Sequence, residues 1–588
     1  MKNYTLSNWN IDITKKGLLF FAETAEEMLF HHSHDSFKVP TLNFKFLCYD
    51  IVTTIQGIEE EKLDAGNLYP LIDELMISYQ RDPIIKQLYG EKIDNIFDQK
   101  NEHGVYVNTF KDICKDRTSD TTRTRLRKTL YFLIEDMNND DKYYKAILKS
   151  LSTLVNEDYD TSNSKEIYSL TQTLLSELIN RGYSIEFLYN TVIEQFFSEQ
   201  AISNVTVAFD SFINTFTFEE KKYAVYFPIP GSIKDDLVDC FNLQIADNIF
   251  EMFNNQYPYV GKQIVSEMDP ELARSYVTKI VEVFLSIVQY DKHNDKSFKI
   301  RYSDVVDVET KKCFYLKEPV SAILRGRRER ERTISQNICP HRIKNLLNAI
   351  SLHSSAMKSK DINNQFLSLW TAIEVLVPVE RKGSFSRINQ ISNALSTVMS
   401  ITYLRTLLSH LYDDLQVIKE TYKSCIIDID ADPIFALACI LSKPEYANRI
   451  AILTDALESY PILKYRLFKY ENLLKDPAQY KKYYDSHSQR IRQQTMRIYR
   501  TRNMIVHDGS HSVYIELIIQ NLHFYLDTLI DTIYASQKQG YKNIHSIFKS
   551  MGEAEKKFIS IFDETSFSDE DLRFLCTVNN LFQTHSSV

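Results

Sequence analysis

Ile518, Leu522, Tyr525, Leu529 and Ile533 recur at spacings of three or four residues. That period belongs to a helix with one buried face, not to the two-residue alternation of a strand. Tyr144, Leu148, Leu151 and Val155 repeat it, and so do Leu170, Leu174, Leu175 and Leu178. Residues that interrupt helices are few, with 13 glycines and 14 prolines in 588 residues. The fold class that follows is mainly α, and the length provides for roughly three or four domain-sized units.

Residues 1–200 read as a mostly helical N-terminal region, with short β-like pieces such as Leu42–Leu47. His31, His32 and His34 beside Asp35 invite a metal reading, but adjacent histidines point to different sides of a helix. No second ligand cluster accompanies them, and a solvated turn fits better. Between 201 and 324 the pattern turns α+β. Phe216–Phe218 and Tyr223–Phe227 are aromatic, β-favouring runs that end at Pro228-Ile229-Pro230-Gly231. Asp269-Pro270-Glu271 opens a helix reaching about Tyr290, and Ser297–Tyr302 reads as a strand. Residues 325–332 carry five arginines against two glutamates. They read as a solvated linker, with phosphate contact as the alternative.

Further on, Ile343, Leu346, Leu347, Ile350 and Met357 stripe one helix. Asp361 caps another, whose apolar face is Phe366, Leu369, Trp370, Ile373 and Val377. More helices follow through 381–485, broken near Asp432-Pro433, Lys443-Pro444 and Tyr460-Pro461. The segment Arg500-Thr501-Arg502-Asn503-Met504-Ile505-Val506-His507 ends a helix that reads from His487 onward. Asp508-Gly509-Ser510 supplies its stop, and the stripe beginning at Ile518 forms its hairpin partner.

Arg502-Asn503-x-x-x-His507 resembles the R-x(4-6)-H motif of HEPN-domain ribonucleases, including the polar residue after the arginine. The earlier helix Phe366–Leu376, with Trp370 and Glu374, is similar to one found in the Apea-like HEPN subgroup of bacterial anti-phage proteins. The resemblance covers residues 333–536 and implies a C-terminal HEPN-like helical bundle. Residues 381–485 are then a helical insertion, and 537–588 a helical tail.

The chemistry implied is RNA cleavage by the substrate's own 2′-OH. It needs a group that moves protons near neutrality and a cation on the phosphorane. The resemblance assigns these roles to His507 and Arg502. Five residues of ideal helix turn the two side chains about 140° apart. Either the helix unwinds before His507, or two copies face each other, the composite dimer site for which HEPN nucleases are known. Asn503, one turn before His507, is placed to orient the imidazole, and the resemblance pairs Glu374 with Arg502. Plain alternatives stand beside these readings: a histidine satisfied at a helix C-terminus, a structural ion pair, and a solvated glutamate.

The formal charge is −9, so nucleic-acid contact has to be local. From Lys481 to His507, seven lysines and arginines stand against Asp485 alone. Arg492, Arg497, Arg500 and Tyr499 are the candidate RNA contacts, with Tyr480, Tyr483 and Tyr484 as further stacking faces. The function expected is a metal-independent endoribonuclease acting on tRNA or mRNA in abortive infection. A homodimer or higher homo-oligomer and a phage-derived trigger are its expected partners, and the N-terminal region its sensor. The alternative is a non-catalytic HEPN scaffold that binds RNA, nucleotide or a partner protein. Eight cysteines without C-x-x-C pairs read as reduced thiols, and no cofactor or metal is expected. Neither a signal-peptide core nor a run of roughly 18 apolar residues appears. The expected location is cytoplasmic, without a membrane partner.

Overall fold

A computed structural model describes residues 9, 16–30, 42–97, 120–159, 161–198, 202–229, 242–245, 259–292, 300, 302–317, 344–359, 361–379, 386–509, 514–538, 540–541 and 543–576. The histidine cluster at 31–34 and the arginine run at 325–332 lie outside these residues.

Among the described residues nine α-helices precede the first strand: α1 (Gly17–Leu29), α2 (Phe44–Glu59), α3 (Leu68–Arg81), α4 (Pro83–Phe97), α5 (Asp120–Asn138), α6 (Lys142–Asn156), α7 (Thr161–Asn180), α8 (Ile185–Phe196) and α9 (Val205–Ile213). Leu42–Leu47 is not a strand. Asn43 accepts a hydrogen bond from the Phe46 N–H at 3.0 Å, and this cap starts α2 at Phe44.

Strands β1 (Lys221–Ile229), β2 (Asn242–Ile245), β3 (Tyr259–Glu267), β4 (Tyr302–Asp307) and β5 (Cys313–Lys317) form one sheet in the order β2-β3-β1-β4-β5. Every described pairing in it is antiparallel. Helix α10 (Pro270–Lys292) lays Ala273, Val277, Val281 and Leu285 on the sheet, and with Val225, Phe227 and Val305 they make a separate small core. Asp269 caps α10, accepting the Leu272 N–H at 2.9 Å.

The sequence boundary of the α+β unit shifts by some twenty residues. Phe209 and Phe212 of α9, and Phe216 after it, pack into the large helical core. Phe216–Phe218 is an irregular aromatic stretch, not a strand.

The remaining helices are α11 (Lys344–Lys358), α12 (Ile362–Leu376), α13 (Arg387–Asp414), α14 (Lys419–Ile426), α15 (Pro433–Ser442), α16 (Ala447–Ala456), α17 (Pro461–Leu474), α18 (Pro477–Asp508), α19 (Ile515–Lys538), α20 (Ile544–Ile561) and α21 (Asp569–Cys576). One continuous core joins them to α1–α9, so the N-terminal helices are packed into the same body as the C-terminal ones. Helix α13 runs along α18 and buries Ile391, Leu395, Val398, Leu404 and Leu408. It is therefore central to the bundle, not an insertion at its edge. Helices α20 and α21 pack on α13 and are no tail.

Helix α18 begins ten residues before His487. Asp476 accepts the Ala478 N–H at 2.9 Å, and Pro477 stands in the first turn, where its missing N–H costs nothing. The helix is 32 residues long, with neither glycine nor proline after Pro477, and runs about 48 Å. Gly509, at φ 65°, closes the helix by donating its N–H to the Ile505 carbonyl at 2.9 Å.

Candidate functional site

The last two turns of α18 carry Arg502, Asn503, Val506 and His507 on a surface patch. Arg502 and Asn503 are half-buried and His507 is exposed. Val506 keeps 50% of its surface open to solvent. The helix is unbroken through Asp508, so it does not unwind before His507, and the divergence of about 140° from Arg502 persists within one chain. Arg502 Nη1 donates to Asn503 Oδ1 at 3.2 Å. No hydrogen bond joins Asn503 to His507 among the described residues, so the amide does not hold the imidazole here.

Glu374 does not meet Arg502. Asn363 donates to the Gly509 carbonyl at 3.2 Å, and Trp370 lies 6.1 Å from Tyr499 between ring centroids. These two contacts fix α12 and α18 as antiparallel neighbours. Their register puts Glu374 roughly 9 Å along the axis from Arg502, on the side away from the helix end. The cation that reaches Glu374 is Arg387, which donates to the Glu374, Val377 and Pro378 carbonyls at 2.7, 2.8 and 3.2 Å. It closes the end of α12 and feels the Glu374 carboxylate. Trp370 and Phe366 are core residues.

The candidate RNA contacts divide. Arg492 is exposed, and Tyr499 leans on Trp370. Arg497 and Arg500 are buried, at 2% and 3% exposure. Arg497 binds Glu74 of α3 and Gln494, and Arg500 binds Asp50 of α2 at 3.2 Å. Burial draws Arg497 down, but the Glu74 carboxylate outweighs it and holds the guanidinium above the usual arginine value. Neither side chain is available to a phosphate on the surface. Tyr480 and Tyr484 are likewise inside, packed on Phe562, and Tyr483 stacks on Tyr403. Lys481 pairs with Asp563 at 3.0 Å, which leaves Lys482 and Arg492 as the exposed cations on α18 ahead of the patch.

A histidine pair escaped the sequence reading. His353 Nε2 lies 3.3 Å from Asp527 Oδ1, and its ring meets His523 edge-on at 5.4 Å. The group sits between α11 and α19. His523 and Asp527 are one turn apart on α19, but His353 comes from a different helix, so spacing alone could not find it. Among the described residues no group of three or more His, Cys, Asp or Glu could hold a metal ion. Nor is any described helix long and apolar enough to cross a membrane. No family model, curated protein or solved structure matches the chain.

The patch therefore offers an imidazole in water, a guanidinium beside it around the helix, and an amide between them. An imidazole can transfer protons near neutrality, and a guanidinium can hold two oxygens of one phosphate. One chain presents them on diverging lines.

Proposed function

We propose that the chain is a metal-independent endoribonuclease of HEPN type whose active site is completed by a second copy. The observation that carries this reading is the contrast along α18. Arg497 and Arg500 are buried in ion pairs, whereas among the described residues Arg502 has only its neighbour Asn503 as partner and His507 stands in solvent. Cationic and titratable groups left open at a helix end suit a phosphate substrate. Half-exposed Val506 between them suits an apolar contact with a partner copy. In this reading His507 moves the protons, Arg502 neutralises the phosphorane, and Arg492 guides the strand. Glu374 has a structural role through Arg387. The resemblance supports a place in anti-phage defence, with the cell's own RNA as target.

Expression of the wild type beside His507→Ala tests the reading, scored by growth arrest and RNA fragmentation. His507→Ala is expected to lower the cleavage rate about 10²–10⁴-fold, the usual worth of general acid–base catalysis. Equal fragmentation by both proteins would overturn the assignment and leave the non-catalytic scaffold.

A further inference from the structure

A cavity of about 170 Å³ lies where α3 and α7 face α18. Three arginines line it: Arg81 at the end of α3, and Arg490 and Arg497 on α18. The lining includes two carboxylates, and both already have partners. Glu74 holds Arg497. Asp82 accepts the Ile84 and Ile85 N–H groups at 2.9 and 3.1 Å and the Tyr143 hydroxyl. No carboxylate pairs with Arg81 among the described residues. Its Nη2 donates to Ser486 Oγ at 2.8 Å, reaching across to α18. Desolvation, and then repulsion from Arg490, draw Arg81 below the ordinary arginine value.

Two guanidiniums that repel each other across a cavity are stabilised by an anion placed between them. The rest of the wall suits an oxyanion with several acceptor oxygens. Ser78 and Ser169 supply hydroxyls, and the buried Gln493 amide nitrogen has no hydrogen-bond partner among the described residues. We propose that this cavity binds a small phosphate-bearing anion, held between Arg81 and Arg490. Paired arginine forks favour a phosphate, whose oxygens each fork can take two at a time. The cavity is sized for a small molecule, not a nucleic-acid strand. The site draws its walls from α3, α7 and α18, so an occupant ties the N-terminal helices to the helix that ends at His507. That link gives the N-terminal region a chemical input of its own, apart from the patch.

The test uses the full chain, with binding read calorimetrically and without RNA, so its outcome is independent of the nuclease reading. Inorganic phosphate and AMP are titrated into wild type, Arg81→Gln and Arg490→Gln in chloride buffer. Saturable binding to wild type is expected, with each variant about tenfold or more weaker, as for loss of a charge-assisted hydrogen bond. Tighter binding of AMP than of phosphate identifies a nucleotide as the class, and the reverse identifies the free anion. Crystals of the wild type soaked in tungstate are expected to show a heavy-atom peak between the two guanidiniums, which keeps the test open if a variant fails to fold. No saturable heat with either probe, unchanged affinity in both variants, or no tungstate peak in the cavity overturns the proposal.

Discussion

Replacing Arg497 with alanine leaves Glu74 on the cavity wall between α3, α7 and α18 without its cation. The arginine side chain is 3% exposed and the glutamate 18%, so the pair is close to fully desolvated. Removing one partner of such a pair costs about 3–5 kcal/mol. Because Glu74 keeps some contact with water, the loss here is expected near the lower end, about 3 kcal/mol. Glu74→Ala is expected to destabilise for the same reason. The double variant Glu74→Ala/Arg497→Ala, with no unpaired charge, should recover much of the loss. A coupling energy of about 2 kcal/mol is expected, within the range for contacting residues. Urea unfolding of the four proteins measures the cycle, and RNA binding is followed alongside. If Arg497→Ala unfolds like the wild type while RNA affinity falls, Arg497 is a surface phosphate contact and its placement against α3 is wrong.

Other outcomes follow from the same geometry. Glu23 on α1 is buried, accepts the Ile462 N–H at 3.0 Å, and is pushed up to about 8 from 4.5, chiefly by desolvation. Between those values the unfolded chain releases this proton and the folded one keeps it, so stability falls as pH rises from about 4.5 to about 8. Glu23→Gln keeps the acceptor and removes the proton. Its melting temperature should gain on the wild type steadily across that window, and a constant difference would refute the burial argument. Arg502→Lys should cleave RNA poorly, because a point charge cannot replace the two-pronged guanidinium. Near-normal rates would remove Arg502 from the chemistry. With the substrate's 2′-OH as nucleophile, a 2′-deoxy residue at the scissile position should block cutting, and products should carry 2′,3′-cyclic phosphate ends. Products with 5′-phosphates would point to activated water instead.

Local signals in the sequence were reliable where the physics is local. The stripe from Ile518 to Ile533 is fully buried. Asp361 caps α12 through the Asn364 N–H at 2.8 Å. Gly509 ends α18, and prolines 433 and 461 begin α15 and α17. Misread were the charges whose partners lie far away. Arg497 and Arg500 meet residues 423 and 450 positions earlier, and a cationic run on a helix looks the same whether it faces water or a buried carboxylate. A clue was present: Arg490, Gln494, Arg497 and Thr501 form a second stripe at helical spacing beside Ile491, Ile498 and Ile505. Two such stripes mark a helix covered on two sides, as α18 is between α13 and α3. Arg387 was overlooked because it closes α12 from across a loop. The register of α12 against α18 is set by tertiary contacts, so the sequence could not exclude a Glu374–Arg502 pair.

A ribonuclease site shared between two copies has a direct functional signature. Arg502→Ala and His507→Ala are each expected to be inactive as homodimers. Co-expressed, they form mixed dimers in which one site receives Arg502 from one protomer and His507 from the other. Random pairing makes half the dimers mixed, each with one intact site of two, so roughly a quarter of the wild-type cleavage rate should return. A mixture as inactive as either variant alone would contradict the shared site.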